Sequence, residues 1–367
     1  MAGRYRKIVT SPNDMRNYLF ELIDKEMQFH KKYKNGLIFD KMNSKYCAGI
    51  DVGGTKIAAV LATVQGKIIN RVKSPTPKDA SPERITRIIS DLLEEMLYAS
   101  DLNKKNLSGI GIGIPGVVDT WGGKIIRTPN MKLSGFNLRK IIERKLKIKC
   151  ALGNDANLGM LGEKWLGAAR KVRNAVGLFI GTGIGAGVII NDQLITGSHG
   201  AAAELGHLII QDDGPRCSCG NIGCLEALAG RWAIERDLRQ AMKKGKKTII
   251  TKLLDKKNDT IKSKILRKAL KYRDDLTMDI LTKAAEQIGI ACISIRHIFD
   301  PQMIVLGGGV MEACGDFILP IAKEKVQKDR FFSNLGKCEI TESLLGDDAI
   351  VIGAVALAGK FGLNRLS

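Results

Sequence analysis

Apolar positions fall into two rhythms along this chain. Between residues 46 and 72, three short apolar runs (YCAGIDVGG, TKIAAVLATV and GKIINRV) follow one another with only tight glycine turns between them, which predicts a meander of antiparallel strands. Residues 81–99 (SPERITRIISDLLEEMLYA) switch to helical spacing, with Ser81 placed to cap the helix and Pro82 at its first position. A continuous apolar run at 108–114 (SGIGIGI) predicts a buried strand, stopped by Pro115-Gly116. A second helix over about 137–147 leads into a short strand at 147–154 (KIKCALGN).

The order of elements then starts again. Residues 174–181 (NAVGLFIG), 184–190 (IGAGVII) and 193–196 (QLIT) read as three more strands joined by glycine turns. A long helix at 278–299, a buried strand at 303–306 (MIVL) and an Ala/Gly-rich helix at 349–361 follow. The repetition is of architecture, not of residues: two α/β lobes, each opening with a β-meander. The predicted division is a small lobe of 46–157 plus 350–367 and a large lobe of 158–349. Within the large lobe, 232–275 reads as an exposed, lysine-rich helical insertion. Residues 1–45 form a basic extension, in which Ser11-Pro12-Asn13-Asp14 starts a helix with Met15, Leu19, Leu22, Ile23 and Met27 at helical spacing. Met42 stands just before the first strand, so translation from there still gives a complete core.

The 367 residues exceed what one core holds, about 250–300, in keeping with two lobes. No apolar run reaches the ~18 residues of a membrane span, and the N-terminus lacks the apolar centre of a secretory signal. The chain is therefore expected in the cytoplasm. Its eight cysteines are too sparse for a disulfide scaffold: Cys47, Cys150, Cys292, Cys314 and Cys338 read as scattered reduced thiols, and the other three crowd between 217 and 224. Against 38 acidic residues, 58 basic ones give a net charge of +20. Residues 239–273 hold fourteen Lys/Arg against two Asp, and the first 46 residues ten against five, which leaves the remainder near neutral. The basic stretch reads as a solvated face, and nucleic acid is not the expected partner.

Glycine, 40 residues, exceeds the roughly 7% of an average protein and gathers in doublets beside apolar runs. Asp51-Val52-Gly53-Gly54-Thr55-Lys56 lies on the first hairpin. Its turn glycines let backbone N–H groups point at phosphate oxygens, Thr55 adds a hydroxyl, Lys56 a charge, and Asp51 a carboxylate for hydrated Mg²⁺. The spacing is not that of a Walker loop, and an ordinary tight turn would look the same. Gly181-Thr182-Gly183-Ile184-Gly185 occupies the equivalent corner of the second lobe, and the pair implies a cleft closed from both sides. Gly307-Gly308-Gly309, after the strand MIVL, suits the adenosine part of a nucleotide. Gly153-Asn154-Asp155-Ala156-Asn157 joins a strand to a helix. Asp155 there can take a proton from a hydroxyl nucleophile, although an N-cap alone would use the same residues.

The most specific signal is Glu204-x-x-His207 followed by Cys217-x-Cys219, Cys224 and Glu226. One imidazole and three thiols fit a tetrahedral zinc site that is closed and hence structural. Glu204 and Glu226, not needed by a metal, are candidates for hydroxyl recognition.

These motifs in this order resemble the ROK family (repressors, open reading frames and kinases), specifically its glucokinase-like sugar kinases. The matching stretches are IDVGGTKIAAVL (50–61), GIGIPGVVD (111–119), TPNM (128–131), GNDANLGMLGE (153–163), GTGIGAGVIINDQLITGSHGAAAELGH (181–207), CSCGNIGCLEALAG (217–230) and IVLGGGV (304–310). The resemblance implies the two-lobed actin-like ATPase (ribonuclease H-like) fold and transfer of the ATP γ-phosphoryl group to the 6-hydroxyl of a hexose, glucose first, a step of carbohydrate metabolism. It implies Asp155 as general base and Asn154, Glu204, His207 and Glu226 as sugar contacts, with Gly116 and Asn130 contributing. Asp51, Gly53, Gly54, Thr55, Lys56, Gly181, Thr182 and Gly183 would clamp ATP–Mg²⁺, Gly307 to Gly309 would lie on the adenosine side, and His207, Cys217, Cys219 and Cys224 would hold Zn²⁺. Homodimers are common in the family. Ala203 replaces the glycine usual before the Glu of the ELGH stretch, and the plain kinases lack an N-terminal extension. The competing expectation is a sugar-responsive repressor that binds DNA through that extension, but SPNDMRNYLFELIDKEM is followed by too little chain for a turn and a recognition helix.

Overall fold

The computed structural model describes residues 46–129, 131–254, 259–333 and 335–361. The helix expected at the N-terminus, and Asn130, lie outside the described residues. Strands β1 (Tyr46–Val52), β2 (Lys56–Thr63) and β3 (Ile68–Pro75) form the expected meander. Helix α1 (Pro82–Ala99) follows; the Ser81 hydroxyl accepts the Arg84 N–H at its start, and Ile85, Ile89, Leu93 and Met96 face the sheet. Strand β4 (Leu107–Ile114) is buried almost throughout, because helices cover both its faces. A small hairpin, β5 (Val117–Asp119) and β6 (Lys124–Arg127), then precedes helix α2 (Leu138–Leu146) and strand β7 (Cys150–Asn154). That hairpin carries too short an alternation to be read from sequence. Strand β7 starts at 150, not 147, because Lys147 takes a left-handed conformation and caps α2.

The first sheet has the order β3-β2-β1-β4-β7, antiparallel at the meander and parallel beyond it. After helix α3 (Asp155–Trp165) the plan repeats. Strands β8 (Ala175–Ile180), β9 (Ile184–Ile190) and β10 (Gln193–Leu194) are joined by β11 (Met303–Gly307) and β12 (Glu339–Glu342) in the order β10-β9-β8-β11-β12. The pairing directions are again antiparallel, antiparallel, parallel, parallel. Two mixed five-stranded sheets of identical strand order make this the actin-like architecture that the repeated meanders foretold.

Helices α4 (Leu225–Ala229), α5 (Arg231–Lys243) and α6 (Ser263–Lys271) carry the lysine-rich segment. They are not an exposed appendage. Ile234, Leu238, Ile261 and Leu266 join one core with Leu281, Ile288 and Leu306, so the inner faces belong to the large lobe and only the outer faces are charged. Helix α7 (Asp275–Phe299) begins three residues earlier than its apolar spacing suggests, since the Asp274 carboxylate caps it by accepting the Thr277 N–H and hydroxyl. Helix α8 (Gly309–Gln327) and helix α9 (Ala349–Ala356), the latter continued by a wider turn to Phe361, complete the chain. No helix among the described residues is long and apolar enough to cross a membrane.

Two segments carry the chain between the sheets, α3 and the strap from β12 to α9. They pack on each other at Gly162 and Gly353, where any side chain would run into the backbone of the facing helix. The N-terminus of α3 is thereby set between the two sheets, which fixes the site.

Candidate functional site

Asn154 and Asp155 sit where β7 becomes α3. The Asn154 side chain is used twice by the fold: Oδ1 accepts the Asn157 N–H at 2.9 Å, and Nδ2 donates to the Gly116 carbonyl at 3.0 Å. Gly116 has φ +100°, and a side chain there would meet the Arg127 carbonyl, so its role is to shape the loop that receives Asn154. Asp155 accepts the N–H of Ala156 at 2.8 Å. Burial pushes its carboxyl pKa up, against the pull of that bond.

Two further carboxylates feel Asp155. Asp51, at the end of β1, is pushed up to about 7 by burial and then by the charge of Asp155, with Lys56 opposing. Glu204 is raised by burial first, with Asp155 and Glu226 adding to the rise and His207 opposing it. Residues 104 to 153 positions apart in sequence thus share one electrostatic environment. Crowded acids of this kind favour a bound cation or a shared proton. Ala203, before Glu204, has φ +67°, which explains why glycine is the usual residue there.

The glycine turns assemble around this point. In the first, the Gly53 N–H donates to the Lys56 carbonyl at 3.0 Å, and Thr76 ties the turn to β3 through its hydroxyl on the Gly53 carbonyl at 2.6 Å and its N–H on the Thr55 carbonyl at 3.0 Å. Gly54 has open space beside its Cα, so a ligand can approach the backbone. Lys56 is exposed, its ammonium 3.6 Å from Asp347. Asp347 in turn raises the pKa of Glu312, in the first turn of α8, for which burial is the larger cause. Gly308, at φ +87°, packs on the backbone of Ile180 beside the second turn. The three glycine corners therefore surround one region.

The second turn is held from behind. The Arg231 N–H donates to the Gly181 carbonyl and the Trp232 N–H to the Thr182 carbonyl, both at 3.1 Å. The Arg231 guanidinium reaches the Thr182 hydroxyl at 2.8 Å. Neither Arg231 nor Trp232 was visible as a site residue in the sequence, because both look like the opening of an amphipathic helix.

His207, Cys217, Cys219 and Cys224 bring one ligand atom each to within 4.8 Å of one another. Four ligands on a tetrahedron with Zn–S near 2.3 Å stand ~3.8 Å apart. The Cys219–Cys224 sulfur separation and the Cys217 Sγ to His207 Nδ1 separation are both 3.7 Å, so the donor set fits zinc. Glu226, next to this knuckle, does more than face the cleft. Its Oε2 accepts the Ile184 N–H at 3.0 Å, and its Oε1 accepts the Ser218 hydroxyl at 3.1 Å and the Trp232 indole N–H at 3.4 Å. One carboxylate thus bonds the knuckle to the second glycine turn.

Glu163 is a further residue that sequence reasoning missed. It is fully buried at the far end of α3, and its oxygens accept the Ser343 hydroxyl at 2.6 Å, the Ala168 N–H at 2.7 Å, the Leu345 N–H at 2.9 Å and the Leu344 N–H at 3.3 Å. It binds the two inter-sheet segments to each other. Nothing local signals this, since the principal partners lie about 180 residues away.

A family model described as the ROK family matches residues 47–360. The glucokinase of Thermotoga maritima is 34% identical over 310 residues, 84% of this chain and 96% of that protein. The xylose repressor of Caldicellulosiruptor bescii is 32% identical over 310 residues, again 84% of this chain but 77% of the repressor. A ROK family glucokinase from Streptomyces griseus, solved with glucose and AMPPNP, superposes with a TM-score of 0.73 at 28% identity, over 85% of this chain and 98% of that one.

Proposed function

The chain belongs to the ROK family, and from that premise we propose that it is an ATP-dependent sugar kinase that phosphorylates the 6-hydroxyl of a hexose, glucose being the first acceptor to try. The observation that carries this reading is the meeting of Asp155 with Asp51 and Glu204 at one point, between glycine turns contributed by both sheets. The donor would come from a cytoplasmic ATP pool, and a homodimer is the assembly proposed.

Asp155 takes the proton of the sugar O6 as that oxygen attacks the γ-phosphorus, and the bond from phosphorus to the β-γ bridging oxygen breaks to release ADP. A positioned base contributes ~10²–10⁴-fold. Asp51, held among like charges, is the residue suited to a hydrated Mg²⁺ on the phosphates, where the cation supplies charge neutralisation. Gly53, Gly54, Thr55 and Lys56 serve one side of the phosphates, Gly181, Thr182 and Gly183 the other, and Gly307 to Gly309 the adenosine. Asn154 and Glu204 read sugar hydroxyls, with Gly116 and Asn130 beside them. His207 holds the metal through Nδ1, which leaves Nε2 for a hydroxyl. Glu226 Oε2 keeps one lone pair for the sugar after accepting from Ile184.

The xylose repressors favour a second reading, a sugar-responsive regulator. The chain spans 96% of the Thermotoga kinase and 77% of the Caldicellulosiruptor repressor, which supports the kinase. An ADP-release assay across glucose, mannose, fructose, N-acetylhexosamines and xylose tests the choice. Turnover with one of the hexoses is expected, with Asp155→Ala lowering it at least ~10²-fold while ATP still binds. Absence of ADP release with every sugar, together with salt-dependent binding of duplex DNA, would reverse the assignment.

A further inference from the structure

The charge on the lysine-rich segment has no role in the chemistry above. Its cations are sorted by type. Arginines find acids: Arg239 bonds Glu235, and Arg267 pairs with Asp316. Lys243, Lys244, Lys246, Lys247, Lys268 and Lys271 are all exposed and meet no carboxylate among the described residues.

The fold gathers most of these at one end of the large lobe. The Asp274 carboxylate accepts the Thr248 hydroxyl at 2.9 Å and the Ile249 N–H at 2.8 Å. Those bonds hold Lys246 and Lys247, one or two residues upstream, beside Lys271 and Arg273. They also commit Asp274 to internal bonding, leaving Asp275 as an exposed acid that adjoins the cluster. The Lys246 N–H folds back onto the Ala241 carbonyl at 3.1 Å, which keeps Lys243 and Lys244 at the same end. Tyr272 stands between Lys271 and Arg273 with 67% of its surface exposed.

We propose that this face binds a single-stranded nucleic acid, with phosphates on the lysines and a base stacked on Tyr272. Unpaired like charges held together by a fixed backbone lower their mutual repulsion by taking up a polyanion and releasing its counterions. A bare aromatic ring among them matches an unstacked base and gains nothing from a duplex or from inorganic polyphosphate. The inference is independent of the kinase reading, because none of these residues belongs to the site.

Fluorescence anisotropy of a labelled 20-nucleotide deoxythymidine strand with the full chain is the test. Single strands lose about 0.7 power of salt per phosphate contact, so four or more contacts weaken binding about 50-fold between 50 and 200 mM KCl. The triple variant Lys246→Glu, Lys247→Glu, Lys271→Glu should lose at least ~10-fold, and Tyr272→Ala about 10-fold with the salt slope unchanged. Bound zinc and thermal midpoint report folding, and the milder Lys246→Ala, Lys247→Ala, Lys271→Ala set stands in if the reversal misfolds. Binding retained by the triple variant would put the site elsewhere, the N-terminal extension included. Indifference to Tyr272→Ala, or equal affinity for duplex or polyphosphate, would also overturn the proposal.

Discussion

Single side chains in this site sit where their own physics is unfavourable. Ala203 holds a left-handed backbone that costs an L-residue roughly 1–2 kcal/mol, and it does so next to Glu204. Ala203→Gly should raise the thermal midpoint by about 1–2 °C, the relief being partly offset by the larger entropy of glycine in the unfolded chain. Sugar affinity should be unchanged, and calorimetry with titration checks both. Asp51 gives a pH signature. Its folded-state pKa of about 7 lies above the unfolded value near 3.8, so the unfolded chain releases this proton first as pH rises. Stability from this group is complete below pH 4 and is lost progressively up to pH 7. Asp51→Asn removes the penalty; its gain in midpoint should be small at pH 4 and reach about 2–4 °C at pH 8. A gain of the opposite slope would contradict the crowding of Asp51 with Asp155.

Among elements, α3 does the most. Asp155 opens it, Met160 packs on the second sheet, and Glu163 closes it on the strap that leads to Asp347 and Asp348. Asp347 meets Lys56 of the first turn, and Asp348 takes both guanidinium nitrogens of Arg71 on β3 at 3.1 and 3.2 Å. Glu163 therefore positions the base helix against a strap that touches the first glycine turn. Glu163→Gln keeps the volume but turns an amide NH₂ toward backbone donors, leaving buried groups unpaired. The expected result is faster hydrogen exchange at Leu344 and Leu345 and a fall of about tenfold in kcat, with sugar KM moving less than threefold. Ser343→Ala, which removes one donor, should show the same pattern more weakly. The aromatic group of His297, Phe331 and Phe332 at the end of α7 lies apart from this pathway and should be insensitive to both changes.

At the scale of the molecule, the zinc knuckle, the second glycine turn and the sugar-facing side chains form one braced unit through Glu226, Arg231 and Trp232. Chelation of the metal should raise KM for nucleotide as well as for sugar, and reloading zinc should restore both. A loss confined to sugar would mean that the turn stands without the knuckle. The local rules of the chain determined much of this protein unaided. Alternating apolar runs set both meanders, Ser81 and Pro82 set the start of α1, and spacing alone grouped His207 with Cys217, Cys219 and Cys224, because ligands 18 residues apart need only one loop to meet. What tertiary structure decided is whatever depends on residues far apart in the chain. Helices α5 and α6 turned out to be core and not appendage, since the apolar partners of Ile234 and Leu266 lie on α7 and β11. Glu163 gained its role from a loop at 343–345, and Asp51 its raised pKa from Asp155. Short-range sterics and hydrogen bonds act over a few residues and are written in sequence; burial and Coulomb energy depend on distances that exist only once both sheets have closed on one another.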